Sequence, residues 1–204
     1  MIRILGFTVC LVISSAFGFA SSCDASVVTD QSQLVANADL GGTSGFSNVQ
    51  SFQQTNDNIT GASVGAINIP IGSIITIRLF DNLGEVSNPS LAIASGSTTT
   101  TTTSSTTTQF ESVSFGAPID VTPGETLFLT FERVGAGGST LGSFRGTLTD
   151  AYTEGQAFSD GTSFPTFDFA FQTFASEAVA VPEPSTFVLL GAGLVGMTMR
   201  RRRR

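Results

Sequence analysis

The sequence predicts an all-β body, an antiparallel two-sheet jelly-roll sandwich, and three observations lead there. Between Val27 and Ala175 stretches of period-two apolar alternation recur, and no stretch sustains the 3.6-residue period of an amphipathic helix. Gly, Pro, Asn and Asp separate these runs at short intervals, as turns separate half-buried strands. About nine such runs in roughly 150 residues match the scale of a two-sheet sandwich with a single core.

Taken in chain order, the first element is a leader. Ile4 to Ala20 form an apolar run behind Arg3 and end in Gly18-Phe19-Ala20, which predicts a secretory signal peptide over residues 1–20. Cleavage is expected after Ala20, with the bond after Ala25 as the alternative. Cys10 lies in the leader, so the mature chain keeps at most Cys23 and forms no internal disulfide. Ala20-Ser21-Ser22-Cys23 lacks the leucine of a lipoprotein box. Cys23 therefore reads first as a spectator thiol or a removed residue, with lipid attachment as the alternative.

The body is expected over residues 24–176. Strands are predicted near Gln50 to Gln54, Ile59 to Ile69, Ser73 to Phe80, Ser90 to Thr101 and Thr107 to Gly116. Further strands are predicted at Thr126 to Val134, Gly142 to Leu148, Ala151 to Phe158 and Thr166 to Phe174. Leu127, Leu129 and Phe131 alternate with Phe128, Thr130 and Glu132, and Ile75, Ile77 and Leu79 alternate with Thr76 and Arg78. Phe167, Phe169 and Phe171 are expected to face one way, with Asp168, Ala170 and Gln172 facing the other. Pro123-Gly124 marks a tight turn and Gly135 to Ser139 a flexible one. The hydroxyl-rich run from Thr98 to Thr108 reads as two strand ends meeting at a Ser104-Ser105 turn, because threonine suits strands. An O-glycosylated stretch is its other reading.

Composition excludes much chemistry. The chain has no His, and its nine basic residues are all arginine: Arg3, Arg78, Arg133, Arg145 and Arg200 to Arg204. No His-based triad, His metal ligand, Schiff-base lysine or P-loop lysine can therefore be assembled. All sixteen acids lie between Asp24 and Glu183, where only three arginines accompany them. Such a body repels phosphates, so nucleic acid is not an expected partner. Catalysis would have to rest on an Asp/Glu pair across a cleft, which no spacing here identifies, and the chain is read as a non-enzyme. No cofactor is expected. A structural Ca²⁺ would need several carboxylate and carbonyl oxygens, and Asp168 with Asp24 and Asp30 would supply them only if the terminal strands pair.

The last segment carries the densest signal. Val181, Pro182, Glu183, Pro184, Ser185 and Thr186 precede an apolar stretch, Phe187 to Met199, and then Arg200, Arg201, Arg202, Arg203 and Arg204. The two prolines hold the chain extended, and Ser185 or Thr186 is a natural cap for a helix that starts there. Thirteen residues at about 1.5 Å each give a helix of roughly 20 Å, short of the roughly 30 Å hydrocarbon layer. Snorkelling arginines extend that reach and hold their end on the cytoplasmic side. A short transmembrane helix over 186–199 is expected, with the body outside the cytoplasm.

Those three parts, in that order, resemble the PEP-CTERM protein-sorting signal over residues 180–204. The resemblance implies exosortase as a partner, which would recognise Val181 to Ser185 and process the chain while its helix lies in the inner membrane and Arg200 to Arg204 set its orientation. The body would then pass from the periplasm to the cell surface or the extracellular matrix, in the exopolysaccharide-rich setting of a biofilm. Within the body, Gln50-Ser51-Phe52, Asn58-Ile59-Thr60-Gly61, Val121 to Thr126 and Asp168 to Thr173 resemble a bacterial extracellular jelly-roll module of the carbohydrate-binding type. Such modules often carry tryptophans around the segment that is Gly142 to Tyr152 here, and this chain has none. Sugar rings stack on exposed Trp or Tyr, so Tyr152 is the single candidate platform. The function expected is that of an exported, non-catalytic surface or matrix protein, with a carbohydrate-binding adhesin as the alternative.

Overall fold

The computed structural model describes residues 26–40, 48–135 and 142–177. The leader, Asp24, most of the Gly135 to Ser139 turn and the whole sorting tail lie outside them. The described residues belong to one compact unit, Ala25–Val179.

Thirteen strands are described in chain order: β1 (Ser26–Gln33), β2 (Ala38–Leu40), β3 (Val49–Gln53), β4 (Asn58–Ile67), β5 (Ile74–Phe80), β6 (Ala94–Thr99), β7 (Gln109–Asp120), β8 (Thr126–Val134), β9 (Ser143–Thr147), β10 (Ala157–Ser159), β11 (Thr162–Phe164), β12 (Asp168–Phe169) and β13 (Phe171–Glu177). They form two antiparallel sheets. The first runs β1-β13-β4-β9-β12, with β2 added to β9 and β7 added to β4; the second runs β11-β10-β3-β8-β5-β6.

Alternation explains how the sheets meet. Leu127, Leu129 and Phe131 of β8 and Ile75, Ile77 and Leu79 of β5 are all buried, and they face Ala62, Val64, Val113, Phe144, Phe169 and Phe171 of the other sheet. Aromatic contacts bridge the layers: the Phe131 ring lies 5.8 Å from Phe144 and 5.4 Å from Phe169, and Phe52 lies 6.0 Å from Phe171. A second apolar cluster, Val49, Phe80, Val86 and Phe158 with Leu83, Ala92 and Phe128, covers the opposite face of the second sheet. The segment between β5 and β6 supplies Leu83, Val86 and Ala92. Its two 3₁₀ turns, Leu83–Glu85 and Pro89–Leu91, are capped by Asn82 and Asn88, whose side chains accept from the Gly84 and Ser90 N–H groups.

Those caps correct the first strand boundary. The strand expected from Ser90 begins only at Ala94, because Asn88-Pro89 commits Ser90 to a turn. The strand expected over Ala151 to Phe158 shrinks to Ala157–Ser159. The Asp168 carboxylate takes the Ala151 and Tyr152 N–H groups, which are then unavailable to a ladder. Gly155 also passes so close to Ser51 that a Cβ would overlap the Ser51 carbonyl.

The hydroxyl run is the crossover between sheets. Thr98 and Thr99 end β6 against β5, whereas β7 pairs with β4 in the other sheet. Thr100 is buried; its hydroxyl donates to the Pro70 carbonyl at 2.7 Å and accepts from the Ser73 N–H at 3.1 Å. The Ser104 hydroxyl accepts from the Thr107 N–H at 2.9 Å and closes the turn. The edge strands β6 and β7 then pack closely, since a Cβ on Gly96 would overlap the Ser114 carbonyl and come within 3.0 Å of Val113 Cβ. Mutual cover of two edges limits pairing with foreign strands.

Candidate functional site

The most elaborate constellation in the body is a polar layer inside the sandwich. β3 places Gln50 and Phe52 on its inward row, so a primary amide enters the core beside phenylalanine rings. A buried amide needs partners for both its donors and its oxygen. Gln50 Nε2 donates to Asp168 Oδ1 at 3.1 Å and to the Ser51 carbonyl at 3.1 Å, and Gln50 Oε1 accepts from the Phe169 N–H at 2.8 Å. Asp168 Oδ2 accepts from the Ala151 and Tyr152 N–H groups, both at 2.9 Å.

The layer continues through Tyr152. Its hydroxyl donates to Gln31 Oε1 at 3.1 Å and accepts from the Gln53 N–H at 3.3 Å, while its ring meets Phe171 edge-on at 5.2 Å. The Thr173 hydroxyl accepts from the Gln31 N–H at 3.1 Å and donates to Gln54 Oε1 at 3.0 Å, and Gln54 Nε2 reaches the Asn58 carbonyl at 3.0 Å. Side chains and backbone from both sheets are thereby locked in one hydrogen-bonded set.

Electrostatics follow from burial. Desolvation holds the Asp168 carboxyl above the ordinary carboxylate range, against the opposing pull of its hydrogen bonds from Tyr152, Gln50 and Ala151, and the charge of Asp150 adds to the rise. Burial likewise pushes the Tyr152 phenol up to about 12. Asp30 ends the other way. Burial raises it, but hydrogen bonds from the Thr55 hydroxyl and N–H, the Gln31 amide and the Asn56 amide together bring it below its usual value. Asp30 sits at the register shift between Thr29 and Ser32 of β1 and fastens the β3–β4 turn, with the Thr55 N–H at 2.8 Å and the Asn56 N–H at 3.1 Å.

Two expectations change on this geometry, those for Tyr152 and Asp168. Tyr152, expected as an exposed platform, is 8 % exposed, its ring packed in the core and its hydroxyl engaged twice. Asp168, expected on a solvated outer row, is 1 % exposed because its oxygens collect the N–H groups of the 151–152 turn. The terminal strands β1 and β13 do pair, yet Asp30 and Asp168 serve different partners. Among the described residues no group of three or more acidic or cysteine side chains could hold a metal. Sequence reading missed Gln31, Gln50 and Gln54; the available signal was a glutamine in the inward register of a strand that also carries Phe52.

The sorting residues Val181 to Ser185, the helix 186–199 and Arg200 to Arg204 lie outside the described residues. Among the described residues no helix is long and apolar enough to cross a membrane. Neither a curated protein nor a solved structure matches the chain. Residues 180–204 match the family model of the PEP-CTERM protein-sorting motif. That motif marks the chain for export and membrane-associated processing, with exosortase as the processing partner.

Proposed function

We propose that this chain is a non-catalytic surface or extracellular-matrix protein whose tail holds it in the inner membrane until exosortase cuts it near Pro182-Glu183-Pro184. The observation that carries the reading is the PEP-CTERM match over residues 180–204. The tail is the functional element, and the body is its cargo. Val181 to Ser185 provide recognition, residues 186–199 insertion, and Arg200 to Arg204 orientation by the preference of basic flanks for the cytoplasmic side. The body is read as a jelly roll, a description supported by two antiparallel sheets packed face to face around a phenylalanine-rich core.

The test is Glu183→Ala in the native host, with intact-mass measurement of membrane and medium fractions. The expected result is normal export and signal-peptide removal, with the uncut form retained in the membrane. Release of correctly trimmed protein at the parental rate would sink the assignment. The adhesin reading passes to a different residue, because Tyr152 is spent in the core.

A further inference from the structure

Three arginines lie in the body, and two of them have carboxylate partners. Arg78 Nη1 lies 2.6 Å from Glu132 Oε2, and Arg145 Nη1 lies 2.7 Å from Asp39 Oδ1 while its Nη2 donates to the Ala36 carbonyl at 2.7 Å. Arg133 is different. It continues the inward row of β8 after Leu127, Leu129 and Phe131, stands in register with the buried Ile75, and is 6 % exposed. Among the described residues it has no carboxylate at ion-pair distance, and its buried Nη1 has no hydrogen-bond partner.

A guanidinium removed from water without an opposite charge is strongly disfavoured. The segments 41–47 (GGTSGFS) and 136–141 (AGGSTL) contain no Asp or Glu, so neither supplies a counter-ion by sequence. Position matters as well. Arg133 stands one residue before the end of β8 and its partner Ile75 one residue after the start of β5, so the cation lies at one end of the sandwich. A planar fork at such a place suits a carboxylate or sulfate, which can take two parallel N–H donors.

We propose that Arg133 is the anchoring cation of a binding site for the carboxylate or sulfate groups of an acidic polysaccharide. The proposal rests on the matrix reading above and gives it a ligand class. It also explains how an acidic body can meet an acidic polymer: contact is made at one uncompensated cation and not through general attraction.

Thermal unfolding of the full chain in detergent tests this, with chloride holding ionic strength constant and polygalacturonate, dextran sulfate, free sulfate or neutral dextran added. A polyanion at about 100 times its Kd is expected to raise Tm by about 5 °C, and neutral dextran to leave it unchanged. Arg133→Met should abolish that rise and, without ligand, unfold a few degrees higher than the parent, since an apolar side chain replaces an uncompensated ion. Arg78→Met should keep the rise. A lower Tm for unliganded Arg133→Met would reveal a partner inside the chain, and a polyanion response that survives in that variant would place binding elsewhere. Either result overturns the proposal, as does the absence of any polyanion response. A response to free sulfate alone overturns the polymer as the source. None of these outcomes depends on whether Glu183→Ala blocks processing, so the two readings fail separately.

Discussion

Asp168 offers the sharpest test of how the sandwich is held together. Its two oxygens accept from three donors, the buried Gln50 Nε2 and Tyr152 N–H and the part-buried Ala151 N–H. Asp168→Asn keeps the shape but turns one acceptor into a donor. With the new carbonyl toward Ala151 and Tyr152, the new amide nitrogen confronts Gln50 Nε2. Turning Gln50 over would relieve that clash but would take its oxygen from the Phe169 N–H. Every arrangement strands at least one buried donor, which costs about 1–3 kcal/mol. Loss of the desolvated charge offsets part of this, leaving a net cost of about 1 kcal/mol and a Tm lower by about 2–4 °C. Asp168→Ala strands the Tyr152 N–H and one Gln50 N–H, while the Ala151 N–H keeps the Thr149 carbonyl at 2.8 Å, and should cost about 3–5 kcal/mol. The pH dependence has a definite sign. Because the folded Asp168 carboxyl is held above its unfolded value of about 3.9, its stabilising contribution is greatest below that pH and is lost as pH rises through the folded value. The Asn variant does not titrate, so its deficit should narrow above about pH 4. Urea unfolding followed through Tyr152, the only tyrosine in a chain without tryptophan, measures both effects. An Asn variant as stable as the parent, or a deficit that widens with pH, would refute the account of the polar layer.

Further outcomes follow from the same geometry. Ultraviolet titration should find the Tyr152 phenol ionising near about 12 in the folded chain and about two units lower after denaturation; ionisation near 10 in the folded state would contradict its burial. Tyr152→Phe should cost about 1–2 kcal/mol by urea unfolding, the worth of its donor to Gln31 and its acceptor for Gln53. Asp30 has the opposite sign to Asp168: its folded value is depressed, so its contribution is present above about pH 4 and fades as pH falls through the folded value. Carboxyl NMR titration should therefore place Asp30 below and Asp168 above the free-aspartate value, and the reverse order would be decisive against both. Gly96→Val should lower stability by about 3 kcal/mol, since its Cβ meets the Ser114 backbone and not a flexible side chain; an unchanged Tm would show that β6 and β7 do not close the sandwich.

What the amino-acid order determined alone was whatever can be read in one dimension. Period-two alternation placed Leu127, Leu129 and Phe131, and Ile75, Ile77 and Leu79, on buried faces, because side chains of a strand point to opposite sides in turn. The sorting tail was legible for the same reason: Pro182-Glu183-Pro184, an apolar stretch and five arginines are recognised as an extended, ordered string. The strands β1 and β2 escaped notice because Ser26 to Leu40 is polar and exposed over much of its length, so its pairing to β13 and β9 leaves little apolar pattern.

Only the tertiary structure decided which polar residues turn inward and what they meet. Asp168 and Gln50 lie 118 residues apart, and although Gln50 shares the inward row of Phe52, nothing local tells what either would meet; the packing of two sheets supplies the partners that make burial tolerable. The same packing hides Tyr152, routes the threonine run from one sheet to the other, and leaves Arg133 as an inward cation without a carboxylate among the described residues. Alternation fixes the side of a strand on which a residue lies. Whether that side is solvent, core or site depends on what the other sheet brings opposite, which a local pattern does not contain.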